Sequence, residues 1–367
     1  MEEYNSIEYL SEGIKKKLDS SGNKKKVIAL YAFNSTGKTR LANILSSLDI
    51  DTEIDSGTIE VLCYNAFFED IFKWDNEKYK LIFDRNSWII KLVVEQGLER
   101  ELVNNFKDIV GSNIEPSFNF AEGQVTFNIA SGDDSSVKGI KISRGEESVF
   151  IWSIFYTILQ TAVEAMNTNE AERTTAIFNK LKYVIIDDPV SSIDDTKIIS
   201  ISLKFVEIID SLQKNTCKFL ILTHHALFYN VLVNSIKRNN TCKLQHYSLS
   251  KDNQVFKLAE QNDSPFAYHL SIKNNIQEAI ANNKIEKYHF NLFRNLLEKT
   301  ANFLGYNNWI DCIPEARDNE LVRLLNLYSH SRVSDLEGRE LHSRDKDVFI
   351  ETFNTFIQNF KWNQEVI

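Results

Sequence analysis

The sequence predicts an α/β domain at residues 1–262 followed by a mostly helical domain at residues 263–367. Continuous apolar runs at Val27–Tyr31, Tyr183–Ile186 and Phe219–Leu222 are typical of central parallel strands covered on both faces. Beyond them the apolar residues take on helical spacing, through Ile272, Ile276, Ile280, Phe290, Phe293 and Leu297. This change of period places the domain boundary near Asn262–Pro265.

Further patterns predict the elements between these strands. Ile59–Phe68 is typical of a strand that runs into a turn, and Ser117–Ala130 alternates apolar and polar residues as an antiparallel hairpin does. Ser148–Ala165 has the length and apolar face of a long helix. Leu244–Leu249 and Val255–Leu258 predict a second hairpin. Strands that alternate with helices in this way predict an α/β core.

The overall charge limits how the chain can bind other molecules. Its 367 residues include 42 basic and 51 acidic side chains, a net charge of −9 at neutral pH. A nucleic acid would therefore have to bind a local basic patch, because the global field does not attract phosphates. We interpret the run Lys24–Lys26 as a solvated entry to the first strand, in preference to a phosphate patch.

Cysteine spacing and apolar segments bear on location. Cys63, Cys217, Cys242 and Cys312 lack a paired C-x-x-C spacing, which argues against a structural zinc site or a disulfide framework and fits a reducing cytoplasm. The N-terminal segment has no apolar core like that of a secretory signal, and no apolar stretch is long enough to span a bilayer. We expect a cytoplasmic protein with no membrane partner.

Residues Ala32–Thr39 lie between the first strand and the helix-like Arg40–Leu48, and they have the form of a phosphate-binding loop. Ala32 stands where the first glycine of such a loop is normally found. Backbone N–H groups of such a loop wrap the phosphates, the lysine neutralises β- and γ-phosphate charge, and the hydroxyl after it binds Mg²⁺. The expected nucleotide ligands are Asn34, Ser35, Thr36, Gly37, Lys38 and Thr39.

The apolar strand Tyr183–Ile186 ends in two acids, which is the expected partner of a phosphate-binding loop. Asp187 would hold Mg²⁺ together with Thr39, and Asp188 would occupy the position of a catalytic carboxylate. A loop or an acidic pair alone occurs by chance more often than the two in this order.

Three further segments make the chain, up to the predicted boundary, resemble the ABC-type ATPases. Ile142–Glu146 is similar to their signature sequence, Ser191–Asp194 to their D-loop, and Thr223–His224 to their switch histidine. A helix N-cap, a turn residue and a buried structural histidine explain the three segments singly, but not all three in the expected order. The resemblance adds to the expected nucleotide-site residues Ser143, Gly145, Glu146 and His224.

This resemblance implies a homodimer or a higher homo-oligomer. In the family, the signature segment of one subunit covers the γ-phosphate that the loop of another subunit holds. Asp188 stands where most members have a glutamate, which is longer by one methylene, and we expect slow turnover suited to timing. Asn65 is the nearest candidate for the family's Q-loop residue.

Over nearly its whole length the chain also resembles the PrrC-type anticodon nucleases. The similar segments are Tyr31–Asn34, Thr36–Thr39, Tyr64–Phe67, Gly145–Ser148, Ile186–Ser192, Leu227–Leu232 and Asn262–Phe266. The resemblance implies an ABC-type P-loop ATPase domain followed by a mostly helical nuclease domain. The chain departs from the family at Ser35, where we expect glycine, and at His225. Ser35 bears on nucleotide affinity more than on the fold.

The resemblance makes Arg294, Glu298 and His330 the nuclease residues and Asp263 a contact to the tRNA anticodon. RNA cleavage by its own 2′-OH needs a proton acceptor, a proton donor and a cation beside the developing charge, and it needs no metal. His330 and Glu298 suit the proton transfers and Arg294 the charge. Taken alone, Arg294 and Glu298 form an ordinary exposed ion pair, and Asp263 is a turn residue. Arg323 competes with Arg294, because Arg323 and His330 fit the loose pattern of HEPN-type RNases.

The family implies cleavage of lysine tRNA during phage infection, with 2′,3′-cyclic phosphate and 5′-hydroxyl ends. It also implies latency within a type I restriction-modification complex and control by ATP or GTP hydrolysis and by dTTP binding. The main rival is an ABC-type DNA-sensing or DNA-maintenance ATPase whose C-terminal domain binds a partner. Such proteins insert a long coiled coil between loop and signature, whereas Thr39–Ile142 contains Pro116 and a hairpin and no sustained heptads. A transporter motor subunit is disfavoured, because the helical C-terminal segment does not resemble its membrane-coupling surface.

Overall fold

The computed structural model describes residues 1–20, 25–47, 58–129, 139–190, 193–213, 217–252, 254–261, 268–313, 322–325, 341–360 and 362. The chain divides into two compact units, Met1–Phe266 and Ala267–Ile367. The boundary expected near Asn262–Pro265 lies outside the described residues.

The first unit is an α/β fold. Its strands are β1 Glu2–Tyr4, β2 Lys26–Ala32, β3 Val61–Tyr64, β4 Phe72–Asp75, β5 Lys80–Phe83, β6 Ile114–Asn119, β7 Gln124–Ile129, β8 Tyr183–Asp187, β9 Lys218–Thr223, β10 Lys243–Asp252 and β11 Val255–Glu260. Its helices are α1 Ile7–Asp19, α2 Lys38–Ser47, α3 Ala66–Glu69, α4 Trp88–Glu95, α5 Glu99–Val110, α6 Arg144–Asn167, α7 Asp195–Ser211 and α8 Ala226–Asn239.

Seven strands form the main sheet in the order β1-β11-β10-β2-β9-β8-β3. The five strands from β10 to β3 are parallel, and β11 and β1 add an antiparallel edge. Every residue of β2 is buried, as its continuous apolar sequence predicts for a strand covered on both faces. The register pairs Tyr31 with Thr223 and Asp187 with Leu222. The carboxyl ends of β2, β8 and β9 therefore meet at one edge of the sheet.

A second, antiparallel sheet has the order β4-β5-β7-β6. It confirms the hairpin predicted at 117–130, and the pairing of β10 with β11 confirms the second hairpin. Phe127 of β7 packs against Phe106 of α5 and Phe150 of α6. The longest helix within residues 58–129 is the 12-residue α5, so this described stretch holds no long coiled coil.

Helix α6 is a core helix. The expectation that no apolar stretch is long enough to span a bilayer is wrong for α6, the one helix among the described residues whose length and composition would suit a membrane span. Its most apolar stretch is 83% buried inside the protein, as in the core helix of a folded domain. Trp152 and Phe155 of α6 pack edge-on against Tyr64 at the end of β3. The apolar sequence of α6 thus fills the interior between the sheet and its neighbouring helices.

The interpretation of the lysine run as a solvated strand entry is wrong for Lys25 and Lys26, which are 4% and 0% exposed. The Lys25 ammonium donates to the carbonyl of Ile209 at 2.6 Å, at the end of α7. The Lys26 ammonium donates to the carbonyl of Lys17 in the last turn of α1. Each ammonium satisfies a carbonyl that a helix end leaves without an intrahelical partner. Lys24 lies outside the described residues.

The second unit is helical in its described residues, as predicted. It contains α9 Tyr268–Ala281, α10 Lys287–Leu304, a 3-10 helix at Trp309–Cys312 and α11 Ser343–Asn359. Phe293 of α10 packs against Phe349, Phe353 and Phe356 of α11, at centroid distances of 5.2–5.6 Å. This aromatic core fixes the face of α10 that is turned inward.

Candidate functional site

The expected phosphate-binding loop connects the end of β2 to the start of α2. Gly37 has φ +98° and Ser35 has φ +66°, so two residues of the loop adopt the left-handed region. For a residue with a side chain this conformation costs about 1–2 kcal/mol. The structure therefore gives a backbone reason for the glycine that the family resemblance implies at position 35. The Thr36 hydroxyl and backbone N–H both donate to the Phe33 carbonyl, which closes the turn.

Lys38 lies buried beneath the loop. Its ammonium donates to the carbonyls of Ala32 and Phe33, at 3.0 and 3.1 Å, and lies 3.2 Å from Oδ2 of Asp188. The side chain is only 5% exposed. The loop thus surrounds a single buried cation, which suits the neutralisation of phosphate charge.

Asp187 ends β8 and fits the role of a magnesium ligand. Among the described residues its Oδ1 atom is buried without a hydrogen-bond partner. Burial raises its pKa to about 6, against the lowering effect of a hydrogen bond from Thr39. Carboxylate and hydroxyl oxygens are ligands that Mg²⁺ prefers. Asp187 and Thr39 would together hold the ion, which when bound neutralises the charge of the phosphates.

Asp188 is held on both of its carboxylate oxygens. Oδ1 accepts the backbone N–H of His224 at 2.7 Å and lies 2.8 Å from Nδ1 of its ring, while Oδ2 pairs with Lys38. Burial acts to raise the pKa of Asp188, but the hydrogen bonds from His224 and the charge of Lys38 lower it overall. The His224 side chain is 34% exposed, so its interpretation as a buried structural histidine is wrong.

Asn65 follows β3 at the same edge of the sheet. The register pairs Tyr64 with Ile186, which brings Asn65 beside Asp187, the last residue of β8. The Asn65 side chain donates to Oδ1 of Asn43 on α2 at 3.0 Å and accepts the backbone N–H of Phe68 at 3.1 Å. Asn65 therefore connects the end of β3 to the helix that follows the phosphate-binding loop.

The expected signature residues form the start of α6. The Ser143 hydroxyl accepts the backbone N–H of Glu146 at 3.2 Å, and the Glu146 carboxylate accepts the backbone N–H of Ser143 at 2.7 Å. This capping box leaves Ser143 exposed at the helix N-terminus, with Gly145 in the first turn. A helix N-terminus attracts anions, which is the property the signature needs. The Asp194 carboxylate caps α7 by accepting the backbone N–H of Lys197 at 3.1 Å. Ser191 and Ser192 lie outside the described residues.

The second unit brings Arg294 and Glu298 together on α10. Nε of Arg294 donates to Oε1 of Glu298 at 2.8 Å, and the guanidinium carbon lies 5.4 Å from the ring centroid of Trp309. Arg294 is 16% exposed and Glu298 43%. Arg294 is thus more enclosed than a residue of an ordinary exposed ion pair. Asp263 and His330 lie outside the described residues, and the competing Arg323 is exposed.

Comparisons with known proteins decide the family. A curated relative, the anticodon nuclease of Escherichia coli, is 39% identical over 331 residues, which cover 84% of this chain and 83% of the relative. The chain belongs to the anticodon nuclease family. A family model described as an AAA domain also matches residues 98–361. The predicted membership of this family is confirmed, as is the α/β P-loop ATPase fold followed by a helical region.

Solved structures of SMC ATPase heads are also similar to the chain. One, described as structural biochemistry of ATP-driven dimerization and DNA stimulated activation of SMC ATPases, is 12% identical, with a TM-score of 0.33, and covers 53% of this chain and 98% of its own. The SMC head domain from Thermotoga maritima is 11% identical, with a TM-score of 0.31, over 66% and 92% of the two chains.

Sequence reasoning gave no place to Trp309, whose ring contacts Arg294 in this family member. The glycine past the end of α10, Gly305, was a usable signal, because such a glycine allows the chain to turn and the residues that follow to return to the same helix. The signal for α1 was also available, because Ile7, Leu10, Ile14 and Leu18 recur at helical spacing.

Proposed function

We propose that the chain is a cytoplasmic, nucleotide-gated endoribonuclease that cuts lysine tRNA within the anticodon loop during phage infection. The observation that carries this proposal is the Arg294–Glu298 pair, which is held at 2.8 Å in a helical unit joined to a nucleotide-binding unit. The 39% identical relative is an anticodon nuclease, which supports the choice of substrate.

The proposed cleavage is an internal attack of the ribose on its own phosphate. The 2′-oxygen bonds to phosphorus and gives up its proton, while the bond to the 5′-oxygen breaks and that oxygen gains a proton. His330 and Glu298 exchange these protons, and the guanidinium of Arg294 stabilises the charge of the pentacoordinate phosphorus. The products carry 2′,3′-cyclic phosphate and 5′-hydroxyl ends, and no step uses a metal.

Lys38 supports the proposed nucleotide gate. Its ammonium donates to two loop carbonyls and pairs with Asp188, which in turn accepts from His224. With ATP or GTP bound, Lys38 would pair with a phosphate, so that Asp188 would lose its ion pair to Lys38 and keep its contacts with His224. In this proposal the exposed start of α6 completes the site of a second subunit. In this proposal dTTP controls the nuclease through the same gate, and so does a type I restriction-modification complex that keeps it latent.

The test is cleavage by the purified full chain. Protein is incubated with ATP or GTP and Mg²⁺, EDTA is then added, and total tRNA is supplied as substrate. We expect cuts in anticodon loops, with 2′,3′-cyclic phosphate ends, and no cuts by Arg294→Ala. Lys299→Ala removes an exposed cation from the same helix and serves as the matched control. Equal cleavage by Arg294→Ala and wild-type protein would reject the proposed site, and intact tRNA in every reaction would favour the DNA-sensing ATPase.

A further inference from the structure

We propose that Trp309 is a positioning residue for Arg294, which fixes the plane of the guanidinium that meets the scissile phosphate. The inference rests on the proposed nuclease function. It comes from the contact between the indole ring and the guanidinium, whose centres lie 5.4 Å apart.

Local structure places the indole next to α10. Gly305 ends α10 with φ +76°, and the N–H of Tyr306 donates back to the carbonyl of Ala301 at 2.9 Å. This left-handed cap reverses the chain. The side chain of Asn308 then accepts the N–H of Ile310 at 3.1 Å and starts the 3-10 helix whose first residue is Trp309.

The far end of the 3-10 helix is fixed to the same helix. The thiol of Cys312, which is 1% exposed, donates to the carbonyl of Leu297 at 3.7 Å. Trp309 is therefore held between a helix cap on one side and a buried anchor on the other. A ring held in this way keeps its place when the side chain that it contacts changes, so it can act as a fixed surface.

Glu298 and Trp309 both restrain the guanidinium. The carboxylate of Glu298 accepts a hydrogen bond from Nε of Arg294 at 2.8 Å, and the ring centroid of Trp309 lies 5.4 Å from the guanidinium carbon. A hydrogen bond at one edge still allows rotation about the Arg294 side chain, whereas an added ring contact limits it. A planar guanidinium binds phosphate best through two parallel N–H bonds, so its orientation decides how well it meets the transition state.

A purely structural role makes a different prediction. If Trp309 only fills space, any apolar side chain of similar volume should serve. The indole also attracts the cation through its electron-rich face, which an aliphatic side chain cannot do. Trp309 is half-buried, so the chain can lose the ring without opening the aromatic core formed with α11.

The test compares Trp309→Leu, Trp309→Phe and the control Phe303→Leu, which alters an aromatic side chain that is 89% exposed on α10. Cleavage of total tRNA by the full chain gives kcat and KM. Because a cation–π contact contributes a modest stabilisation, we expect Trp309→Leu to lower kcat by about 3- to 30-fold with little change in KM. We expect Trp309→Phe to restore most of the rate and Phe303→Leu to match wild-type protein. NMR of the Arg294 Nε–H group gives a second readout, since loss of the ring should move its proton resonance downfield.

The outcomes separate this inference from the proposed function. If Arg294→Ala cleaves tRNA normally, the nuclease site itself is wrong. If Arg294→Ala is inactive but Trp309→Leu has the wild-type kcat and an unmoved Arg294 resonance, only the positioning role is wrong. The role is also overturned if Trp309→Leu lowers kcat by the same factor in the wild-type and Arg294→Lys backgrounds. A residue that acts through Arg294 should have a smaller effect on kcat once the guanidinium has been removed.

Discussion

We predict that the buried His289 makes the stability of the helical unit depend on pH. This side chain on α10 is 2% exposed, and its Nδ1 accepts the backbone N–H of Glu286 at 2.9 Å, which requires an unprotonated Nδ1. Burial lowers the pKa of His289 from 6.5 to about 4, against the opposing effect of the Glu286 carbonyl. Replacing His289 with asparagine keeps an acceptor for that N–H and removes the titration.

The direction in which stability changes with pH follows from which state of the chain, folded or unfolded, binds the proton. Between pH 6.5 and about 4 the unfolded chain binds a proton at His289 that the folded chain does not bind. Stability is therefore fully present above pH 6.5 and is lost as the pH falls through about 4. The difference between 6.5 and about 4, at about 1.36 kcal/mol for each pH unit, amounts to about 3 kcal/mol.

Hydrogen exchange of the α10 amides in the intact chain measures this loss. Rates at pH 7, 6, 5 and 4.5 are corrected for intrinsic exchange and converted to opening free energies. We expect the opening free energy to fall with pH in wild-type protein and to fall about 2–3 kcal/mol less in His289→Asn. His342→Asn, which replaces an exposed histidine of the same unit, is the control. Equal pH dependence in His289→Asn and wild-type protein would refute the reasoning.

Three further predictions concern the nucleotide-binding unit. Ser35→Gly should be more stable to unfolding than Ser35→Ala by roughly 0.5–1 kcal/mol, because the φ of +66° costs a side chain about 1–2 kcal/mol and the extra backbone entropy of glycine offsets part of this. Equal melting temperatures of the two variants would contradict the strain. Lys38→Ala should abolish phosphate release from ATP and GTP, because it removes the buried cation of the loop, and undiminished turnover would refute the site. Mixing inactive Lys38→Ala chains with inactive Gly145→Asp chains should restore part of the hydrolysis through one intact composite site. A mixture that stays inactive while subunits exchange would contradict the dimeric arrangement.

Local sequence patterns predicted the elements whose folding depends on neighbours in sequence. The continuous apolar run of β2 indicates a strand covered on both faces. The alternation of apolar and polar residues in β6 and β7 indicates strands that are covered on one face only. The phosphate-binding loop was recognisable because its residue types follow a strand and precede a helix. These features require no knowledge of distant residues.

Sequence patterns did not predict the features that depend on distant contacts or on backbone angles. A lysine run is typical of a solvated segment, yet Lys25 reaches the carbonyl of Ile209, 184 residues away, where burial is stabilised by hydrogen bonding. The residue type of Ser35 does not specify its positive φ, which the loop imposes. Arg294 contacts Trp309 across a reversal of the chain. Helical spacing alone therefore predicted the ion pair with Glu298 but not this contact.

The most direct test of tRNA cleavage uses cells that express the wild-type chain or His330→Ala. Sequencing the 5′ ends of total tRNA after induction locates any cut to a single nucleotide. For an anticodon nuclease, new 5′-hydroxyl ends should accumulate within the anticodon loop of lysine tRNA in wild-type cells and be absent with His330→Ala. Equal tRNA integrity in the two cultures, under conditions where the wild-type chain is toxic, would contradict the nuclease function.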